Sequence, residues 1–192
     1  MNKKEIIWRE ILYQSLERKV FKFTQINLAK KFGFSLSTVN NALKVPRQSG
    51  AIKVAGRFFE VIDKEKFLTI WATFRNLNKE IIYQTFVDLP ISKITGLLPA
   101  DVILTGYSAY QQKFKEAPAD YDKVHLYSDN TAEVEKRFPK QKGEPNLLIF
   151  KTDPFLKNYG GDLSLAQLYV DLWNLKEWQA RDFLESLKKK IF

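Results

Sequence analysis

The feature that most constrains this chain is the run Phe23-Thr-Gln-Ile-Asn-Leu-Ala-Lys-Lys-Phe-Gly-Phe-Ser-Leu-Ser-Thr-Val-Asn-Asn-Ala-Leu-Lys44, two short helical patterns broken by one glycine. Ile26, Ala29 and Phe32 mark one face of a first helix. Gly33 can take the positive φ that a tight turn between helices demands. Ser35 then offers an N-cap oxygen, and Leu36, Val39, Ala42 and Leu43 give a second helix its apolar spacing. Ala29 is small where two crossing helices come close. The set Ala29, Gly33 and Val39 fits a helix-turn-helix, in which the second helix enters the major groove.

The flanking segments complete a small domain. Upstream, Ile7, Trp8, Ile11, Leu12 and Leu16 recur at helical spacing and predict the first helix of a three-helix core. Downstream, Ala51 to Val54 and Arg57 to Ile62 are β-rich runs joined by Ala55-Gly56, a hairpin signal that adds a wing. Residues 1–63 are therefore expected to form a winged helix-turn-helix.

The charge pattern points the same way. Residues 1–57 carry twelve basic side chains (Lys3, Lys4, Arg9, Arg18, Lys19, Lys22, Lys30, Lys31, Lys44, Arg47, Lys53, Arg57) against three acidic ones (Glu5, Glu10, Glu17), which equals the whole formal charge of +9. The remainder of the chain is neutral. One segment is thus built to meet a polyanion and the other is not. On the second helix Ser37, Asn40, Asn41 and Lys44 face away from Val39 and Leu43. Asn40 or Asn41 is the expected base reader, because an amide pairs bidentately with adenine N6 and N7. Ser35, Thr38 and the helix N-terminus would hold phosphates, with Leu36 on the same leading turn, and Lys53 and Arg57 beside the wing turn would reach backbone or minor groove.

Composition excludes several chemistries. There is no cysteine, so disulfides, thiolate metal sites and thiol nucleophiles are out, and the single histidine, His125, rules out a multi-histidine metal centre within one chain. No cofactor and no metal are implied. No apolar run approaches the roughly 18 to 20 residues of a membrane span. Residues 1–10 lack the apolar core of a secretion signal, so a cytoplasmic location is expected.

Residues 64–192 read as a second domain. A connecting helix over about 64–77 carries Phe67, Leu68, Trp71 and Phe74. Strand-like runs at 81–87, 102–105, 123–127 and 146–151 alternate with helix-like runs at 91–98, 108–114 and 131–138. A helix capped by Asp162 and another over about 177–190 close the chain. The expected class is α+β in two domains, the second a mixed α/β sheet domain with C-terminal helices. The element Leu104-Thr-Gly-Tyr-Ser-Ala-Tyr110, followed by Asp122-Lys-Val-His-Leu126, resembles a nucleotidyltransferase skeleton. That chemistry needs two closely spaced carboxylates for two metal ions. Only Asp122 is present, since Val124 holds the second position, so the domain is expected to be at most a degenerate scaffold and the protein not an enzyme. A nucleic-acid-directed enzyme remains one alternative, and a winged-helix protein-interaction module another.

The order of features resembles a known family. The basic winged helix-turn-helix, the element Thr105-Gly-Tyr-Ser-Ala109, the helix pattern Leu-x-Gln-x-Tyr-x-Asp-Leu-Trp over Leu165 to Trp173, and the tail Ala180-Arg-Asp-Phe-Leu-Glu-Ser-Leu187 are similar to the AbiEi antitoxins and transcriptional autoregulators of abortive-infection toxin–antitoxin systems. The resemblance implies an N-terminal domain that binds inverted repeats in its own promoter as double-stranded DNA. It also implies a C-terminal domain that counters a cognate nucleotidyltransferase toxin. By analogy with two-fold operators, a homodimer, or two monomers on paired half-sites, is the expectation.

Overall fold

A computed structural model describes residues 1–192, and the chain is α+β. Two compact units divide it. The first comprises Met1–Arg75, Ser164–Val170 and Ile191–Phe192, and the second Asn76–Leu163 and Asp171–Lys190. No helix is long and apolar enough to cross a membrane.

The first unit opens with α1 (Lys3–Glu17). Asn2 caps it reciprocally: the Glu5 amide donates to Asn2 Oδ1, and the Asn2 amide donates to the Glu5 carboxylate. Ile7, Trp8, Ile11 and Leu12 on this helix are fully buried. A two-residue strand β1 (Lys22–Phe23) leads into α2 (Gln25–Phe32), capped by Thr24, and then α3 (Leu36–Gln48), capped by Ser35. Between the helices Gly33 has φ +65°, where a β-carbon would be strained.

The buried stripe of α2 is Leu28, Ala29 and Phe32, and Ile26, expected inward, is 54 % exposed beyond its edge. On α3 the buried residues are Val39, Ala42, Leu43 and Pro46. Pro46 stands inside the helix, which continues past Lys44 to Gln48. Because proline has no N–H, the Ala42 carbonyl four residues earlier loses its helical donor. The indole Nε1–H of buried Trp8 replaces it at 2.7 Å. One contact thus satisfies two groups and ties α1 to α3.

The hairpin strands are β2 (Ile52–Ala55) and β3 (Phe58–Val61), and β1 adds to β3 to give the antiparallel order β1-β3-β2. Ala55 pairs with Phe58, so the two-residue loop is Gly56-Arg57, one residue later than the Ala55-Gly56 turn read from the sequence. Helix α4 (Lys64–Phe74), grouped by sequence with the second domain, belongs to the first unit. The reason is packing: Phe67 and Phe74 meet the Trp8 ring edge-on, and Trp71 Nε1 and Arg75 reach Glu5.

The second unit is built on a four-stranded sheet of β4 (Ile81–Thr85), β5 (Ile103–Thr105), β6 (Val124–Ser128) and β7 (Leu147–Lys151), ordered β4-β7-β6-β5. Only β6 and β7 are parallel. Central β6 is buried along its whole length and splits its side chains by alternation. Val124 and Leu126 join Ile94, Val134, Phe138 and Ile149 on one face, while Tyr127 joins Ile103, Phe150 and Leu163 on the other. Helices α5 (Ile91–Gly96), α6 (Gly106–Phe114) and α7 (Ala132–Arg137) connect the strands.

Two helices close the chain, α8 (Leu165–Asn174) and α9 (Ala180–Ile191). The cap of α8 is Ser164, whose Oγ accepts from the Gln167 amide, rather than Asp162. Asp171 is fully buried in the second unit, where its Oδ2 accepts hydrogen bonds from Thr105 at 2.8 Å and Tyr127 at 2.7 Å. Two donors to one buried carboxylate offset its loss of water and fix the start of α6 against the sheet.

Candidate nucleic-acid interface

The second helix of the first unit presents one continuous polar face. Ser37, Asn40, Asn41 and Lys44 recur at helical spacing and all four are exposed. Ser35 at the N-cap accepts from the Thr38 amide at 3.2 Å, and its hydroxyl stands 2.9 Å from those of both Ser37 and Thr38. Three hydroxyls therefore cluster at a helix N-terminus, where the first amide groups and the helix dipole favour an anion.

Leu36, expected both in the apolar spacing and on the interface, is 51 % exposed and not part of the core. Its neighbours in that spacing, Val39, Ala42 and Leu43, are buried. Because α3 continues through Pro46 to Gln48, Arg47 and Gln48 extend the same exposed face by a further turn. Sequence reasoning stopped at Lys44 and missed them. The signal that could have found them is that proline in a last turn loses only one hydrogen bond, which a buried tryptophan can supply.

Lys53 lies on β2 and Arg57 in the hairpin loop, and both are exposed. Lys53 stands opposite Glu60 in register without an ion pair, and Lys44, Arg47 and Arg57 have none either. The three acidic residues of the first 57 are all engaged elsewhere. Buried Glu5 takes Arg75 and the Trp71 indole, buried Glu10 takes Lys31 at 2.5 Å, and Glu17 accepts from the Leu165 amide at 2.8 Å. The anionic groups of this segment are consumed in holding the fold, and its cations, buried Arg9 excepted, stay at the surface. Sequence counting found the excess but not this inward turn of the carboxylates.

The rival constellation in the second unit takes a different form. Asp122 is exposed in the loop before β6, and no three His, Asp or Glu side chains in the chain converge to hold a metal ion. Gly106 starts α6 at φ +59°, and an added β-carbon would come within 3.1 Å of His125 Nδ1. His125 is buried, stacked parallel to Phe150 at 5.9 Å, and its Nδ1 has no hydrogen-bond partner. Burial lowers its pKa from 6.5 to about 4, against the attraction of Glu177, so the imidazole is neutral near pH 7. Burial, then the adjacent Glu177 carboxylate, raises the Tyr107 phenol well above its ordinary value.

A comparison of the chain with protein families, with characterised proteins and with solved structures finds no match.

Proposed function

We propose that this protein is a sequence-specific DNA-binding transcriptional regulator whose first unit is a winged helix-turn-helix with α3 as the recognition helix. The observation that carries the reading is the surface left by that unit. A helix face of Ser37, Asn40, Asn41, Lys44 and Arg47 and a hairpin bearing Lys53 and Arg57 stand exposed, and the three acidic residues of the first 57 are engaged within the fold. Asn40 and Asn41 have the amide geometry to read adenine, and exposed Leu36 suits contact with a thymine methyl. Ser35 and Thr38 at the helix N-terminus, with Lys53 and Arg57, suit phosphate oxygens.

Within this reading the protein acts in the cytoplasm as an autorepressor on its own promoter, as a homodimer on a two-fold site. It also acts as the antitoxin to a nucleotidyltransferase toxin, a role that rests on the resemblance to the AbiEi family alone. The double variant Asn41→Ala/Lys44→Ala tests the interface. Retained melting temperature with lost operator affinity supports the assignment; unchanged affinity removes it. Co-expression with the neighbouring gene tests the antitoxin role, and failure to relieve any toxicity reduces the protein to a transcription factor.

A further inference from the structure

A second kind of site lies in the neutral unit. A cavity of about 400 Å³ is lined by Asp120, Tyr121, Asp122, Lys123, Glu144, Glu177, Trp178 and Gln179. Four carboxylates face one ammonium there. Lys123 is already matched, since its Nζ bonds Glu177 at 2.9 Å and Glu144 at 3.1 Å. Burial opposes its charge, yet the hydrogen bonds to these two carboxylates outweigh that and hold its pKa above the ordinary lysine value. Asp120 and Asp122 have no ion pair and are exposed.

Two further observations define what would fit. Gln179 is only 5 % exposed, yet its Oε1 has no hydrogen-bond donor, and a buried acceptor without a partner is uncommon. Trp178 is 74 % exposed and its ring meets no other ring and no cation. The groups without partners are therefore two exposed carboxylates, an exposed π-face and one buried amide oxygen. The one phenol in the lining, Tyr121, donates its O–H to Gln111. The carboxylates do not converge on a point, so a metal ion has no cage here. A planar cation rich in N–H donors meets all of these conditions, because guanidinium stacks on indole, forks onto carboxylates and has no acceptor of its own.

We propose that this cavity binds a guanidinium group, with Trp178 as its stacking platform, Asp120 and Asp122 as its counter-charges and Gln179 Oε1 as an orienting acceptor. The group arrives either on a small molecule or as an arginine side chain of another protein.

Calorimetric titration of the full chain with agmatine, and separately with a capped Gly-Arg-Gly peptide, tests this. The expected result is saturable one-site binding of agmatine, weakened about tenfold by Trp178→Ala and by Asp122→Asn. Cadaverine, a diamine of similar length that ends in an ammonium where agmatine has the guanidinium, should bind about tenfold more weakly. Both substituted residues are exposed, and unchanged melting curves check that the variants fold. Tighter binding of the peptide than of agmatine identifies a protein side chain as the source, and the reverse identifies a small molecule. Absence of saturable binding for both probes, equal affinity for cadaverine, or indifference to both substitutions overturns the proposal.

Discussion

The two units hold similar kinds of residues and dispose of their charges in opposite ways. In the first, carboxylates turn inward: Glu5 and Glu10 are buried with Arg75 and Lys31, and Glu17 caps a backbone amide. The cations of α3 and the hairpin are left facing solvent. In the second, acids and bases pair at the surface, as Lys123 does with Glu144 and Glu177, and Lys190 with Glu116. The interior polar groups there include Thr105, His125 and Asp171, which lie on or against the sheet. A net charge of +9 spread evenly would have meant only solubility. Confined to one unit, whose Glu5, Glu10 and Glu17 are engaged within the fold, it leaves that unit a basic surface.

The largest expected effect sharpens this contrast from the side of the second unit. His125 is neutral when folded, with a pKa near 4 against 6.5 when exposed. Above pH 6.5 neither state holds the proton and stability is flat. Between pH 6.5 and 4 only the unfolded chain takes it up, so stability falls as pH drops, by about 3 kcal/mol in total. Denaturant melts of the wild type and His125→Gln across that window check this. Equal pH slopes in the two proteins would show that the buried imidazole is not what the second unit protects.

Next in size is the interface. Asn41→Ala/Lys44→Ala is expected to weaken specific DNA binding roughly a hundredfold without changing the melting temperature, because both side chains are exposed. A third test sets two glycines against each other. Gly33 and Gly106 share a left-handed backbone, but only Gly106 has a neighbour where its β-carbon would go. Gly33→Ala is expected to cost about 1 kcal/mol for the backbone alone. Gly106→Ala should cost about 2 kcal/mol, since His125 is held by its stack on Phe150 and cannot yield easily. Equal losses in thermal melts would mean that the second unit accommodates a methyl group there.

The smallest effect concerns Leu36. Replacing thymine by uracil in the operator removes one methyl group and should weaken binding by about fivefold at the position Leu36 is proposed to contact. Leu36→Ala should abolish that sensitivity, and a variant that keeps it moves the leucine off the bases.

Much of the fold was legible because periodicity reports burial within one element. Val39, Ala42 and Leu43 give α3, and the β-rich run Val124 to Tyr127, interrupted only by His125, gives β6. The misses have local causes. Ile26 and Leu36 are apolar but lie off the buried stripes, and residue type does not reveal which side of a stripe a neighbour falls on. The strand β1 is two residues long and carries no pattern of its own. Long-range partnerships were hidden altogether. Nothing near Ala42 announces that Trp8 will take its carbonyl, and nothing near Thr105 announces Asp171, 66 residues away. The same holds for the candidate sites. The exposed face of α3 follows from helix geometry, whereas the inward carboxylates and the cavity beside Trp178 depend on packing between distant segments.

The most direct measurement of the central claim is binding of the purified protein to DNA from immediately upstream of its own coding sequence, titrated against salt with scrambled DNA as competitor. With Lys44, Arg47, Lys53 and Arg57 all free to meet phosphates, the plot of log affinity against log salt should have a slope of roughly −3 to −4 per chain, and binding should survive the competitor. Equal affinity for the scrambled DNA with a shallow salt slope would contradict the account and leave the first unit a basic surface without a sequence to read.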